Sequence, residues 1–218
     1  MFGAIISAVS SAISVVSSVV STVGRALVTG ATKLLEVAGK HLDTISNVIE
    51  TMGKILNVVA TDDKIDELGA KAIQSEKKPE DFDKISEYIE HLKNEIELDM
   101  DKFDNANMED KLARKAIGAT IVSKGIEEKK ETSIPMEFWK EVTKQGMSNK
   151  EIDKTIDLFK ESKEENKFSE YMNGELDFED EVKVGKMIIE IYRELEPNMT
   201  IEEIEDKIMK MEAKREDL

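Results

Sequence analysis

One apolar stripe constrains this chain more than anything else in it. Ile5, Val9, Ala12, Val16, Val19, Val23, Leu27, Ala31, Leu34, Ala38, Leu42, Ile45, Ile49, Met52, Leu56 and Val59 follow one another by three or four residues. That spacing averages the 3.6 residues of an α-helical turn, which puts all of these side chains on one side of a coil. The run Ile13–Val23 is rich in β-branched residues that favour strands, but a half-buried strand needs a period of two, and the period here is nearer four. The periodicity predicts helix.

From Arg25 onward a second stripe keeps the same period: Arg25, Thr29, Lys33, Glu36, Lys40, Asp43, Asn47, Glu50 and Lys54. The polar face is narrow. An unbroken helix over the first sixty residues would measure about 80 Å at about 1.5 Å per residue. Gly24, Gly30, Gly39 and Gly53 each weaken a helix by about 1 kcal/mol and mark candidate bends. A hairpin hinged at Gly24 to Gly30 is the alternative to one long rod.

So much apolar surface does not stay wet in a lone helix. Two ladders of small residues, Ala4, Ala8 and Ala12, and Ser10, Ser14, Ser18, Thr22, Ala26 and Gly30, allow close helix packing in a bilayer or a tight bundle. Residues 2–24 carry no charge and are long enough for a hydrocarbon core of about 30 Å. Their serines weaken a spanning reading, so burial in a protein assembly is the first expectation and membrane insertion the second. No basic segment precedes the apolar run, as an ordinary export signal would require. The expected location is the cytoplasm or an assembled particle, with leaderless export or membrane association as the alternative.

Charge divides the chain. Of the net −16, residues 1–60 contribute +1, from Arg25, Lys33, Lys40 and Lys54 against Glu36, Asp43 and Glu50, which leaves −17 for the remainder. An acidic body of this kind repels nucleic acid and anionic lipid, so no nucleic-acid partner is expected. With no cysteine, disulfides and thiol chemistry are excluded.

Residues 61–132 read as three helices. Thr61 or Asp62 caps a short one ending near Gln74, and Pro79 opens a second with Phe82, Ile85, Ile89, Leu92 and Ile96 on its core face. A third starts near Met108, where Ala113, Ala116 and Gly118 suit close packing, and Glu127 to Glu131 reads as a charged connector. Residues 133–218 hold an internal repeat. Met147–Ile156 aligns with Met199–Ile208, each preceded by an aromatic helix, Phe138–Val142 or Ile191–Leu195. Ser148 with Glu151, and Thr200 with Glu203, have the spacing of a capping box, in which hydroxyl and carboxylate satisfy free amides at a helix start. A DNA-binding reading of these hairpins fails on charge, because their second helices are acidic.

No catalytic, cofactor or metal constellation emerges. Glu87, His91 and Glu95 share a helix face but read better as solvated surface, and Asp99 to Asn107 lacks the glycine of a calcium loop. His41 and Asp43 do not face each other. Trp139, beside Phe138, reads as a core anchor, with both rings kept as partner-binding candidates.

The expected fold is all-α: a long amphipathic N-terminal helix or helical hairpin, then an acidic multi-helix body with two helix-turn-helix repeats. Three segments are expected, 1–60 for association or membrane contact, 61–132, and 133–218. The expected role is non-enzymatic, self-associating or docking through residues 1–60, with no cofactor and no small-molecule substrate; a membrane-active protein is the alternative. An uncharged Ser/Ala/Val-rich head on an acidic helical body is similar in style to phage, bacteriocin and specialised-secretion components, with no alignable motif.

Overall fold

The computed structural model describes residues 22–162 and 166–212, and among these the regular structure is all helix. The chain forms two compact units, Met1–Lys129 and Lys130–Leu218.

In the first unit, α1 (Thr22–Ala38) leads through a 3₁₀ turn, Gly39–His41, into α2 (Leu42–Ile55). The N-terminal stripe is therefore interrupted, at one of the four candidate bends and not at the alternative hinge of Gly24 to Gly30. α1 runs straight through Gly24 and Gly30, and the break falls at Gly39, whose φ of +50° is costly for any residue bearing a Cβ. On either side of the break the stripe stays apolar and buried. Leu27, Ala31, Leu34, Ala38, Leu42, Ile45, Ile49, Met52 and Val59 are all in the core of the unit, with Leu34, Ile49 and Met52 at 0 % exposure. Ile5, Val9, Ala12, Val16 and Val19 lie outside the described residues.

The rest of the unit comprises α3 (Ile65–Gln74), a 3₁₀ turn at Pro79–Asp81, α4 (Ile85–Glu95), the short α5 (Met100–Asp104) and the long α6 (Met108–Lys130). α1 packs on the Pro79–Asp81 turn, and α3 packs on α4. α3 and α6 cross where both are glycine. A Cβ on Gly69 would lie 2.7 Å from the Arg114 carbonyl carbon and 2.9 Å from Gly118 N, and closer still to the Arg114 oxygen. One on Gly118 would meet Ile65 and Gly69 in the same way. The backbones touch because neither residue has a side chain.

Two helix starts in this unit are capped from a distance. Neither Thr61 nor Asp62 caps α3. Its first amide, Ile65 N, donates instead to Glu50 Oε2 of α2 at 3.0 Å, while Lys54 holds Glu50 Oε1 at 2.7 Å. α4 opens at Ile85 rather than Pro79, with Ile85 N donating to Glu128 Oε2 (2.8 Å) and Ser86 Oγ to Glu128 Oε1 (2.6 Å). Residues 127–130 are accordingly the last turn of α6 and not a loose connector; Glu131, at φ +53°, follows the helix end.

The second unit contains α7 (Met136–Gln145), α8 (Asn149–Ser162), α9 (Phe168–Asn173), α10 (Phe178–Leu195) and α11 (Ile201–Glu212). Gly146 ends α7 at φ +67°; its amide bonds Thr143 O, and Met147 N reaches back to Val142 O, both at 3.0 Å. Gly174 ends α9 in the same way. α8 and α11 both pack on α10, and α9 packs on α7. Asp177 caps α10 by accepting from Asp180 N.

Candidate functional site

In the second unit the turn after α7, the start of α8, the flank of α10 and the length of α11 enclose an open cleft of about 550 Å³. Its floor is set by two capping boxes. Ser148 N donates to Glu151 Oε2 (2.7 Å) while Glu151 N donates to Ser148 Oγ (3.3 Å). At α11, Thr200 N donates to Glu203 Oε2 (2.7 Å) and Glu203 N to Thr200 Oγ1 (3.2 Å). Each box fixes a carboxylate at the mouth of a helix, and both carboxylates line the cleft.

Lys207 joins the two sides. From α11 its Nζ lies 2.9 Å from Glu151 Oε1 at the start of α8, and 4.1 Å from the centroid of the Tyr192 ring on α10. Tyr192 is almost fully buried, and its hydroxyl donates to Met211 Sδ at 3.3 Å. Met147, Met199 and Met211 supply adaptable apolar wall, and Gln145, Asp206 and Lys210 complete the lining.

Burial pushes the Glu151 carboxyl up, but the Ser148 amide and hydroxyl and the Lys207 ammonium together outweigh it and hold the group below the usual carboxylate range. Glu203 is drawn down by the Thr200 amide and hydroxyl. Burial first, and then the neighbouring Glu151 charge, push the Tyr192 phenol above its ordinary value. All three groups are held more firmly in the state they would already occupy at neutral pH. A general acid or base needs the opposite displacement, towards neutrality.

The residues singled out from sequence are elsewhere. Leu27, Leu34, Leu42, Ile45, Ile49 and Met52 are enclosed by the first unit's own core, and Leu56 is half-buried. For these positions the water-avoiding face is satisfied within one subunit, because the rest of the unit folds over it. Val23 lies on α1. Phe138 and Trp139 are at 0 % exposure, their rings packed edge-on with centroids 5.4 Å apart, and Phe168 stacks edge-on against Phe138 at 5.8 Å. Neither ring reaches the surface.

His91 lies 3.3 Å from Ser75 Oγ through Nε2 and packs on the Phe82 ring. Among the described residues no group of three or more His, Asp or Glu side chains is placed to hold a metal ion. Asp99 is the N-cap of α5, accepting from Lys102 N. Asp43 pairs with Lys115 and not with His41. None of the described helices is long and apolar enough to cross a membrane.

The cleft itself escaped sequence reasoning, although the two capping boxes that border it were legible. Lys207 and Glu151 are 56 positions apart, and nothing local links them. Comparison with protein-family models, curated proteins and solved structures finds no match for this chain.

Proposed function

We propose that this is a non-enzymatic interaction protein that joins a larger assembly through its uncharged N-terminal segment and holds its acidic helical body out as a partner-binding module. One observation carries the reading: from Leu27 onward the apolar stripe is already spent on the first unit's core. The face that remains to drive association is the one before it, in residues 1–24, where no side chain is charged. Burying Ile5, Val9, Val16, Val19 and Val23 at roughly 1.5–3 kcal/mol each supplies enough to offset ordering costs.

The two hairpins of the second unit are read as copies of one helix–break–helix design, supported by their matching capping boxes. The methionine-lined cleft between them is the surface through which the body would hold a partner segment.

The test compares the full chain with a version lacking residues 1–21, by light scattering and by flotation with liposomes. The expected result is a defined oligomer that ignores vesicles and falls to monomer on deletion. Flotation abolished by the same deletion would replace assembly by membrane insertion. A full-length monomer that neither floats nor associates removes the proposal altogether.

A further inference from the structure

We propose that the first unit holds a binding pocket for a small amphipathic monocarboxylate, centred on Arg114. The pocket, about 260 Å³, is walled by Ala70 and Ile73 of α3, Phe103 of α5, Ala106, and Arg114 of α6, with Gln74, Lys102 and Asp110 at its edge. It lies wholly within the first unit and does not rest on the reading above.

Arg114 is what makes the pocket more than a dent. It is one of only four arginines in a lysine-rich chain, and it is 8 % exposed. Its guanidinium carbon sits 3.7 Å from the centroid of the Phe103 ring, and Nη1 donates to Phe103 O at 2.7 Å, near the end of α5. Nε is sealed from solvent with no hydrogen-bond partner. Among the described residues no carboxylate lies within ion-pair distance of the guanidinium. Buried cations are ordinarily paired, since an unpaired charge keeps its desolvation cost without repayment. A ring face and one carbonyl do not neutralise a full charge.

The surroundings define what would. Lys102 and Asp110 are both exposed at the edge, where water screens them, and Arg114 is the one buried charge among the lining residues. Lys102 is itself held by Asp99 at 2.8 Å. One guanidinium charge balances one carboxylate charge, whereas a phosphate dianion would call for more donors than the pocket offers. The remaining wall is methyl groups and an aromatic ring, which suits a short hydrocarbon or phenyl tail. At about 30 Å³ per water the space equals roughly nine waters, comparable to a six- to nine-carbon acid. The Gly69–Gly118 crossing sets the spacing of two walls, because α3 presses directly on the Arg114 carbonyl. The pocket is thus preformed, which keeps the ordering cost of binding low.

The experiment titrates hexanoate and 3-phenylpropanoate, and the neutral amide of each, into the full chain. It is followed by methyl NMR at Ile73 and Ala106 and by calorimetry. The expected result is saturable binding of at least one acid that shifts the Ile73 methyls, with the amide weaker by about tenfold or more. Arg114→Gln should weaken the acid to the level of the amide. Because that change can disturb the fold, Ala106→Leu serves as the second variant: it fills the pocket, leaves the charge in place, and should abolish binding with helicity retained. The proposal is overturned if neither acid saturates, if acid and amide bind equally, or if Ala106→Leu binds the acid as the parent does.

Discussion

Replacing Gly69 by alanine would test whether the α3–α6 crossing organises the first unit. In most helix interiors this change is favourable by about 1 kcal/mol, since alanine loses less backbone entropy. Here the new methyl would sit 2.7 Å from the Arg114 carbonyl carbon and 2.9 Å from Gly118 N, where ordinary contact needs about 3.5 Å. All of these obstacles are backbone, so no rotamer change can relieve them, and with the Arg114 oxygen closer still the helices must part by more than the roughly 0.8 Å that the carbonyl carbon alone would require. A gap of that size forfeits a quarter to a half of the dispersion energy of each contact it opens, and overpacking of this kind costs about 3 kcal/mol. After the propensity gain, the net loss is about 2 kcal/mol. For a unit of this size that lowers its melting temperature by roughly 6–12 °C. Far-UV circular dichroism against temperature, with urea titration as a second measure, reads the effect directly. Gly118→Ala should behave alike, and the double variant should lose less than the sum, because the first methyl has already opened the space for the second. A Gly69→Ala protein as stable as the parent, or more so, would refute the reasoning.

Two further changes probe the carboxylates. Glu151 has its folded pKa depressed below its ordinary 4.5, so its contribution is complete above about pH 4.5 and is lost as pH falls through the lower folded value. Glu151→Gln should therefore lower stability by about 1 kcal/mol at pH 7, with the difference from the parent closing under acid; a difference that persists unchanged to pH 3 would exclude this role. Glu128→Ala leaves Ile85 N and Ser86 Oγ without their acceptor, and should cost about 1–2 kcal/mol in thermal melts with faster amide exchange across the start of α4. Exchange at Ile85 and Ser86 equal to that of the parent would show that Glu128 is dispensable.

What the sequence made legible was local. The stripe from Leu27 to Met52 fell on the buried side of α1 and α2 because period alone decides which side is apolar. The boxes at Ser148 and Thr200 formed because both partners lie within one helical turn. Gly118 could be read as a point of close approach from its small neighbours, yet its counterpart Gly69 could not, since nothing on α3 names the helix that crosses it. The caps of α3 and α4 were missed for the same reason: Glu50 and Glu128 act over 15 and 43 positions. Arg114 gave no local sign of its isolation, because a missing counterion is a property of the folded surroundings. The break at Gly39 instead of Gly24 to Gly30 shows the limit of glycine as punctuation: a glycine bends a helix only where packing asks for a positive φ.

The borrowed caps bear on how the first unit comes to be folded at all. α3 and α4 are ten and eleven residues long, too short to persist in water unaided. Neither has a side-chain cap at its N-cap residue, and each takes the closure of its first amide from α2 or from the far end of α6. Neither can therefore mature ahead of the helix that serves it. Peptides spanning 65–74 or 85–95 alone would remain coil, and loss of α2 or the last turn of α6 would unravel a neighbour far away in sequence. Such mutual dependence makes the unit an all-or-none object, with its cooperativity written into two carboxylates.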